Sequence, residues 1–167
     1  MQFLKPGYPT SYGDAGDVKT WYQALKDPGF SQMKHLKHLM LCFPYFERVP
    51  DQSIIYGNNG KQYQRVIATR GKDYMLVYNY AGNEMRIDFR KISGKTKQVY
   101  WMDAATGYLQ YIGEAANKIV TIRPEQAREG INDGVLIVFD SDKSYLRADM
   151  QFIPVSSNWK NMRDLNE

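Results

Sequence analysis

Tyr74-Met75-Leu76-Val77-Tyr78-Asn79-Tyr80, then Ala81-Gly82-Asn83, then Glu84-Met85-Arg86-Ile87-Asp88-Phe89-Arg90: the fold of this chain turns on that stretch. In its last seven residues, Met85, Ile87 and Phe89 alternate with four charged side chains. Side chains on a strand point to opposite faces in turn, so this pattern predicts a half-buried antiparallel strand over Glu84 to Arg90. The first seven residues behave differently. Alternation sends Tyr74, Leu76, Tyr78 and Tyr80 one way and Met75 and Val77 the other. Neither side is polar, which predicts a strand covered on both faces. Ala81-Gly82-Asn83 between them has turn chemistry.

Short strand-like runs continue on either side. They cover Arg65 to Thr69, Val99 to Met102, Tyr108 to Ile112, Lys118 to Ile122 and Val135 to Phe139. Turn signals separate them: Asn58-Asn59-Gly60, read as a hairpin-type turn, Ser93-Gly94-Lys95, and Asp103-Ala104-Ala105-Thr106-Gly107. Many short strands with no helical pattern between them predict a mainly β chain built as an antiparallel β-sandwich. Upstream the period changes. Asp17 reads as the cap of a short helix over Trp21-Tyr22-Gln23-Ala24-Leu25, stopped by Asp27-Pro28-Gly29. Ser31 reads as the cap of a second helix reaching Cys42. Its Met33, Leu36, Leu39, Met40 and Phe43 recur at three-four spacing and predict one buried stripe, and Pro44 ends it. The expected organisation is a short helical segment (1–47), a β-sandwich (48–142) and a tail (143–167). In the tail, Met150 to Val155 reads as an edge strand and Trp159 as a pin.

Composition removes several classes of function. With 167 residues, 43% hydrophobic and 24% charged, the chain is globular, and it is short of the roughly 250 residues of a complete (β/α)8 barrel. Twenty-two basic and 18 acidic residues leave +4, and the bases are scattered, so no nucleic-acid partner is expected. No apolar run approaches the roughly 18 residues of a membrane span, and the first ten residues hold no signal-peptide core. The compartment stays open. Cys42 is the one cysteine and reads as a buried inert thiol; a Cys–His pair with His35 or His38 is the minor alternative. No metal site, cofactor or catalytic residue is indicated.

Two residue classes remain. Asp51, Asp103, Glu114, Asp133, Asp140 and Asp142 are read as turn builders, since a carboxylate beside a turn bonds nearby backbone N–H groups. The aromatics are dense: 13 Tyr, 7 Phe and 3 Trp. Tyr78, Tyr80, Tyr100, Trp101 and Tyr108 are the candidate ligand-contacting rings. Tyr100 and Trp101 must point to opposite faces, so one is core. Trp21 and Tyr22 are the candidate interface residues.

The stretch from Trp21 to about Asp140 resembles a known arrangement. Trp21-Tyr22-Gln23-Ala24-Leu25, Asp27-Pro28-Gly29, Gln32-Met33 and Leu36-Lys37-His38-Leu39 resemble the closing helices of the apiosidase-like glycoside hydrolases. Pro44-Tyr45-Phe46-Glu47-Arg48-Val49-Pro50-Asp51-Gln52-Ser53 resembles their linker. Ala68-Thr69-Arg70, Tyr78-Asn79-Tyr80, Ile92-Ser93-Gly94 and Trp101-Met102-Asp103-Ala104-Ala105-Thr106-Gly107 resemble the β domain that follows, the "collagen-binding domain of a collagenase". At Gly134 the pattern departs, because Trp is usual there. The resemblance implies a non-catalytic accessory β-sandwich preceded by a remnant of the barrel's end. That domain would brace a catalytic barrel or bind polysaccharide, with self-association as a further partner mode, and its relatives are expected to be secreted or periplasmic. No catalytic carboxylate carries over onto these positions. An autonomous glycan- or collagen-binding module and a small glycoside hydrolase are the alternatives.

Overall fold

The computed structural model of the chain describes residues 20–124, 133–147 and 150, with the backbone of 152–153 and 162–164. Asp17 and Trp159 lie outside the described residues, so the roles expected for them stay expectations.

Two helices come first, α1 (Trp21–Ala24) and α2 (Pro28–Cys42). Both are capped at residues other than those the sequence pattern names, Thr20 three residues after Asp17 and Asp27 four residues before Ser31. Thr20 caps α1, accepting from Gln23 N while Gln23 Oε1 accepts from Thr20 N. This reciprocal capping box satisfies two N–H groups that a helix start leaves open. Asp27-Pro28 ends α1 and also opens α2, with Pro28 in the first turn, where its missing N–H costs nothing. Ser31 is therefore inside α2, its hydroxyl donating to Pro28 O.

Ten strands follow, β1 (Val49–Pro50), β2 (Ile67–Arg70), β3 (Tyr74–Asn79), β4 (Met85–Asp88), β5 (Thr96–Asp103), β6 (Leu109–Ala116), β7 (Ile119–Ile122), β8 (Gly134–Asp140), β9 (Phe152–Ile153) and β10 (Met162–Asp164). They form a seven-stranded sheet in the order β1-β2-β3-β8-β5-β6-β9 and a three-stranded sheet in the order β10-β7-β4. Pairing is antiparallel throughout except at the edge, where β9 runs parallel to β6. The chain is thus mainly β, with the helices ahead of the strands.

Both faces of the large sheet are buried. One carries Met75, Val77, Val99, Trp101, Leu136 and Val138, which close on Met85, Ile87, Val120 and Ile122 of the small sheet. The other carries Tyr74, Leu76, Met102, Ile137 and Phe139, which close on Leu39 and Phe43 at the end of α2. The layers are therefore helix, large sheet, small sheet. β3 has the two-faced character its sequence predicts.

The strand expected over Glu84 to Arg90 is shorter. Met85, Ile87 and Phe89 are buried, but the strand stops at Asp88. The Asp88 carboxylate accepts from Arg90 N and pairs with its guanidinium, Oδ1 to Nε at 2.7 Å, turning Phe89–Lys91 into a 3₁₀ turn. Asp88 is consequently buried, not displayed. Asn58-Asn59-Gly60 also departs from expectation. It belongs to a long excursion between β1 and β2 and joins no hairpin. The Asp103–Gly107 turn behaves as read: Asp103 Oδ1 accepts from Thr106 N and Oγ1, and β5 and β6 pair across it. A bulge between Val99 and Tyr100 leaves Ile112 as the extra residue on β6.

Gly134 explains its own departure from the resembled pattern. A Cβ there would overlap the Trp101 ring and the Met102 carbonyl. With glycine at this position, Trp101 supplies the indole that packs there.

Lys97 is the unexpected core residue. It is fully buried on β5, and Nζ donates to the carbonyls of Ile92, Ser93 and Gly94 at 3.2, 2.5 and 2.6 Å. Burial lowers its pKa, while the Asp140 carboxylate opposes that shift. The ammonium ties the crossing from the small sheet back into β5. Lys97→Met would leave three carbonyls without this donor. The expected loss is on the order of 3 kcal/mol, or a fall of about 6–12 °C in the melting temperature followed by circular dichroism.

Candidate functional site

Three surfaces qualify: the outer side of the helical segment, the large-sheet face with its tyrosines, and a cleft beside β4.

The helical segment is held by its end. Phe43 packs on Tyr74 and Tyr145, with ring centroids 4.8 and 5.0 Å away, and Tyr74 Oη donates to Pro44 O at 2.5 Å. Tyr145 Oη in turn donates to Asp73 Oδ1 at 2.5 Å; burial, then that bond, drives its pKa strongly upward. Leu39 is the one fully buried side chain of α2. The stripe expected to be buried is buried only toward its end: Leu39 and Phe43 are buried and Met40 is half-buried, but Met33 is 59% exposed and Leu36 44%. The correction has a physical reason, since α2 reaches the core of the sheet through Leu39 and the following Phe43, and His35 meets only the β5–β6 turn.

Trp21 and Tyr22 sit in the same segment, 65% and 61% exposed, with their rings edge to face. Phe46 is wholly exposed in the 3₁₀ turn Tyr45–Glu47. Among the described residues, nine of the fifteen exposed large hydrophobics lie between Trp21 and Phe46. That clustering separates a surface patch from the scattered exposed leucines of any protein. Arg48 stands at its base. Nη1 donates to Met40 Sδ, and the guanidinium lies 5.7 and 5.9 Å from the ring centres of Tyr45 and Tyr74. Nε and Nη2 are buried with no oxygen partner, so the two ring faces take the charge.

The five candidate ligand-contacting rings do not gather into one surface. Tyr78 and Tyr100 share the helix side of the large sheet, while Trp101 faces the small sheet and is buried. Tyr100 stacks on Phe139 with planes 3° apart and leans on Tyr111 at 5.0 Å. Tyr78 Oη reaches Asp133 Oδ2 at 3.4 Å, and burial raises its pKa ahead of that carboxylate. Tyr80 and Tyr108 are exposed, beyond the end of β3 and in the β5–β6 turn.

Residues that the sequence pattern did not single out line the cleft beside β4. Ile55 bridges Ile87, and Tyr56 N donates to Arg86 O at 2.8 Å, which fixes the 55–66 excursion along the free edge of β4. The space between them, about 360 Å³, is lined by Tyr56, Asn58, Asn59, Gln64, Asn83 and Arg86 among others. A Tyr, Asn and Gln density over residues 56–64 is the signal in the sequence that marks it.

Two of the carboxylates read as turn builders are occupied as expected. Asp51 accepts from Ser53 and pairs with Arg70 Nε at 2.6 Å; Ser53, then Arg70, holds its pKa below the usual carboxylate value. Asp140 Oδ1 accepts from Asp142 N at 3.2 Å. The thiol of Cys42 lies 3.5 Å from Met150 Sδ. Among the described residues, no group of three or more His, Cys, Asp or Glu side chains is placed to hold a metal ion.

With the geometry described, comparison with known proteins becomes specific. The family described as "Putative collagen-binding domain of a collagenase" matches residues 49–139. The chain belongs to this family. Among solved structures, a glycoside hydrolase family 5 protein from Bacteroides vulgatus ATCC 8482 is 53% identical, with a TM-score of 0.77 over 92% of this chain and 33% of its own. A second glycoside hydrolase is 54% identical, with a TM-score of 0.75 over 87% of this chain and 32% of its own. The chain thus spans about a third of the length of these relatives. No curated protein matches. The match at 92% of the chain takes in the helical segment as well as the family's β domain.

His35 couples α2 to the β5–β6 turn and gives a pH test. It lies so close to Gly107 that any side chain there would collide with the imidazole. Burial, then Lys34 and His38, lowers its pKa below 6.5, and Asp103 pulls the other way. A His held neutral in the fold binds fewer protons than it does unfolded. Its contribution is therefore present above pH 6.5 and is lost as pH falls through the folded value. Melts between pH 7.5 and 5.5 should show stability falling with pH, with a shallower slope in His35→Gln.

Proposed function

We propose that the chain is a non-catalytic accessory β-sandwich of a carbohydrate-active enzyme, and that its helical segment docks against a catalytic barrel. The observation that carries this reading is the exposed apolar side chains of residues 21–46, wholly exposed at Phe46 and rich in aromatics, on a segment anchored to the sheet at its C-terminal end through Leu39 and Phe43. The relatives supply the scale of the partner, since two-thirds of each glycoside hydrolase chain lies outside the match. On this reading the division near residue 47 marks the passage from barrel-facing helices to the β domain, and residues 143–147 strap back over Phe43 through Tyr145.

Four of the aspartates are committed to turns. Glycoside hydrolysis needs two carboxyl groups facing one cleft. Asp51, Asp88, Asp103 and Asp140 hold turns by accepting from backbone N–H groups, and of the four only Asp140 shares an open cleft with other carboxylates among the described residues, those of Glu114 and Asp142. The chain alone is expected to leave aryl glycosides uncleaved.

Docking is tested by mixing the full chain with the separately produced remaining two-thirds of the Bacteroides vulgatus relative and titrating by calorimetry. Burying Phe46 and Leu36 at an interface contributes roughly 1.5–3 kcal/mol each. The double variant Phe46→Ser/Leu36→Ser should therefore weaken association by about 100-fold or more. Its own melt should stay within a few degrees, because neither side chain is buried in the chain itself. Absence of association for the unaltered chain, or equal association by the variant, would remove the reading.

A further inference from the structure

The cleft beside β4 lies on the small-sheet side of the molecule, across the large sheet from α2. Its construction is specific. The Tyr56 ring has the Arg86 guanidinium 4.6 Å from its centre, and the residue is still 47% exposed. Asn59 is spent on structure: Nδ2 donates to Gln52 Oε1 and Oδ1 accepts from Val66 N. The carboxamides of Gln64 and Asn83, by contrast, make no hydrogen bond to the described protein, and both residues are exposed at the cleft. The rim carboxylate of Glu84 is neutralised by Arg123 at 2.9 Å.

The loop is held in a costly shape. Gln62 sits at φ 51°, a region that a non-glycine side chain enters at a cost on the order of 1–2 kcal/mol. Gly60, at φ 75°, lies where a Cβ would stand 2.6 Å from Gln64 O. This packing presses the Gln62–Gln64 turn against Gly60 and sets Gln64 at the cleft wall.

We propose that this cleft is a carbohydrate-binding site, with Tyr56 as the stacking platform and the Gln64 and Asn83 carboxamides as partners for sugar hydroxyls. The chemistry selects the ligand class. A carboxamide donates and accepts, as a hydroxyl does, and an exposed tyrosine offers an apolar face bearing a polar tip. The volume fits a ligand of one or two rings. The pairing of Glu84 with Arg123 leaves no unbalanced acidic charge on the rim, and the Arg86 guanidinium lies over the Tyr56 ring. A polyproline-type peptide docks instead on a groove lined by several aromatics, and Tyr56 is the one aromatic residue in this lining. The proposal stands on the cleft itself and holds whether or not the helical segment docks.

The test is native affinity electrophoresis of the full chain in gels containing xyloglucan, galactomannan, arabinoxylan or mixed-linkage β-glucan, followed by calorimetry with the retarding polymer. At least one is expected to retard the chain. Tyr56→Ala should weaken binding at least tenfold, and the pair Gln64→Ala/Asn83→Ala several-fold. Melting temperatures should hold, since all three positions are exposed. Should Tyr56→Ala disturb the melt, the carboxamide pair reads the same site. Tyr108→Ala, in the β5–β6 turn, should bind as the unaltered chain does. Retardation by none of the four polymers, or retardation that survives both cleft variants, would overturn the proposal. Binding of a triple-helical (Pro-Hyp-Gly)₁₀ peptide that Tyr56→Ala abolishes would also overturn it, in favour of a peptide groove.

Discussion

Hydrogen-bonded side by side at the centre of the seven-stranded sheet, β3, β8 and β5 project apolar side chains from both faces. Everything else is placed by the need to cover them. The connection after β3 cannot return as a simple hairpin, because a hairpin would extend the sheet and leave the Met75–Val77 face open. The chain instead crosses at Gly82 to lay β4, and later β7, over that face. The helix side is covered more thinly, by the last turn of α2, by Phe43 and by Tyr145, Leu146 and Met150. Fully burying a large apolar side chain contributes roughly 1.5–3 kcal/mol. Leu39 and Phe43 are therefore enough to hold one end of α2, and they leave the stripe at Met33 and Leu36 uncovered.

Polar groups fix where the crossings happen. Asp51, Asp88, Asp103 and Asp140 each bond backbone or side-chain donors two or three residues downstream. Each ends a strand or begins a turn. Lys97 does the converse, one ammonium gathering three carbonyls of the 92–94 turn. Such devices are strong inside a protein because an unpaired buried carbonyl is costly. They also account for the positions of these four aspartates.

How much of this was legible in the sequence depends on the range of the interaction. The alternation of Met85 and Ile87 and the two-faced pattern of Tyr74–Val77 are local, and the strands lie where they predict. The turn chemistry of Asp103–Gly107 is equally local. The end of β4 was missed because the pairing of Asp88 with Arg90 competes with the ladder, and apolar period alone does not see it. The exposure of Met33 and Leu36 on the α2 stripe was missed for another reason. Three-four spacing says that a face is apolar; it does not say what covers it. Trp101 was open between core and surface for the same cause, and a glycine facing it at position 134 settles the matter. The five tyrosine and tryptophan candidates were chosen on strands, whereas the cleft is built from the 55–66 excursion and its neighbours, a stretch read as a simple turn. Residues that carry chemistry sit on loops held by a rigid scaffold, where periodicity carries no information.

The two proposed surfaces lie on opposite sides of one rigid sheet, and this arrangement has an energetic consequence. A shallow cleft with one aromatic and two carboxamides binds a sugar weakly, because each hydrogen bond exchanged with water returns only about 0.5–1.5 kcal/mol. Weak binding suffices when the site is carried beside a second one. Joining two modules turns the second contact into an intramolecular event at millimolar effective concentration, provided that the geometry lets both engage. A flexible tether dilutes that gain. A domain clamped through Trp21, Leu36 and Phe46 keeps its cleft at a fixed distance and angle from whatever the partner holds. The bare apolar surface of the helical segment and the strained polar loop beside β4 are then parts of a single design, one fixing position and the other using it.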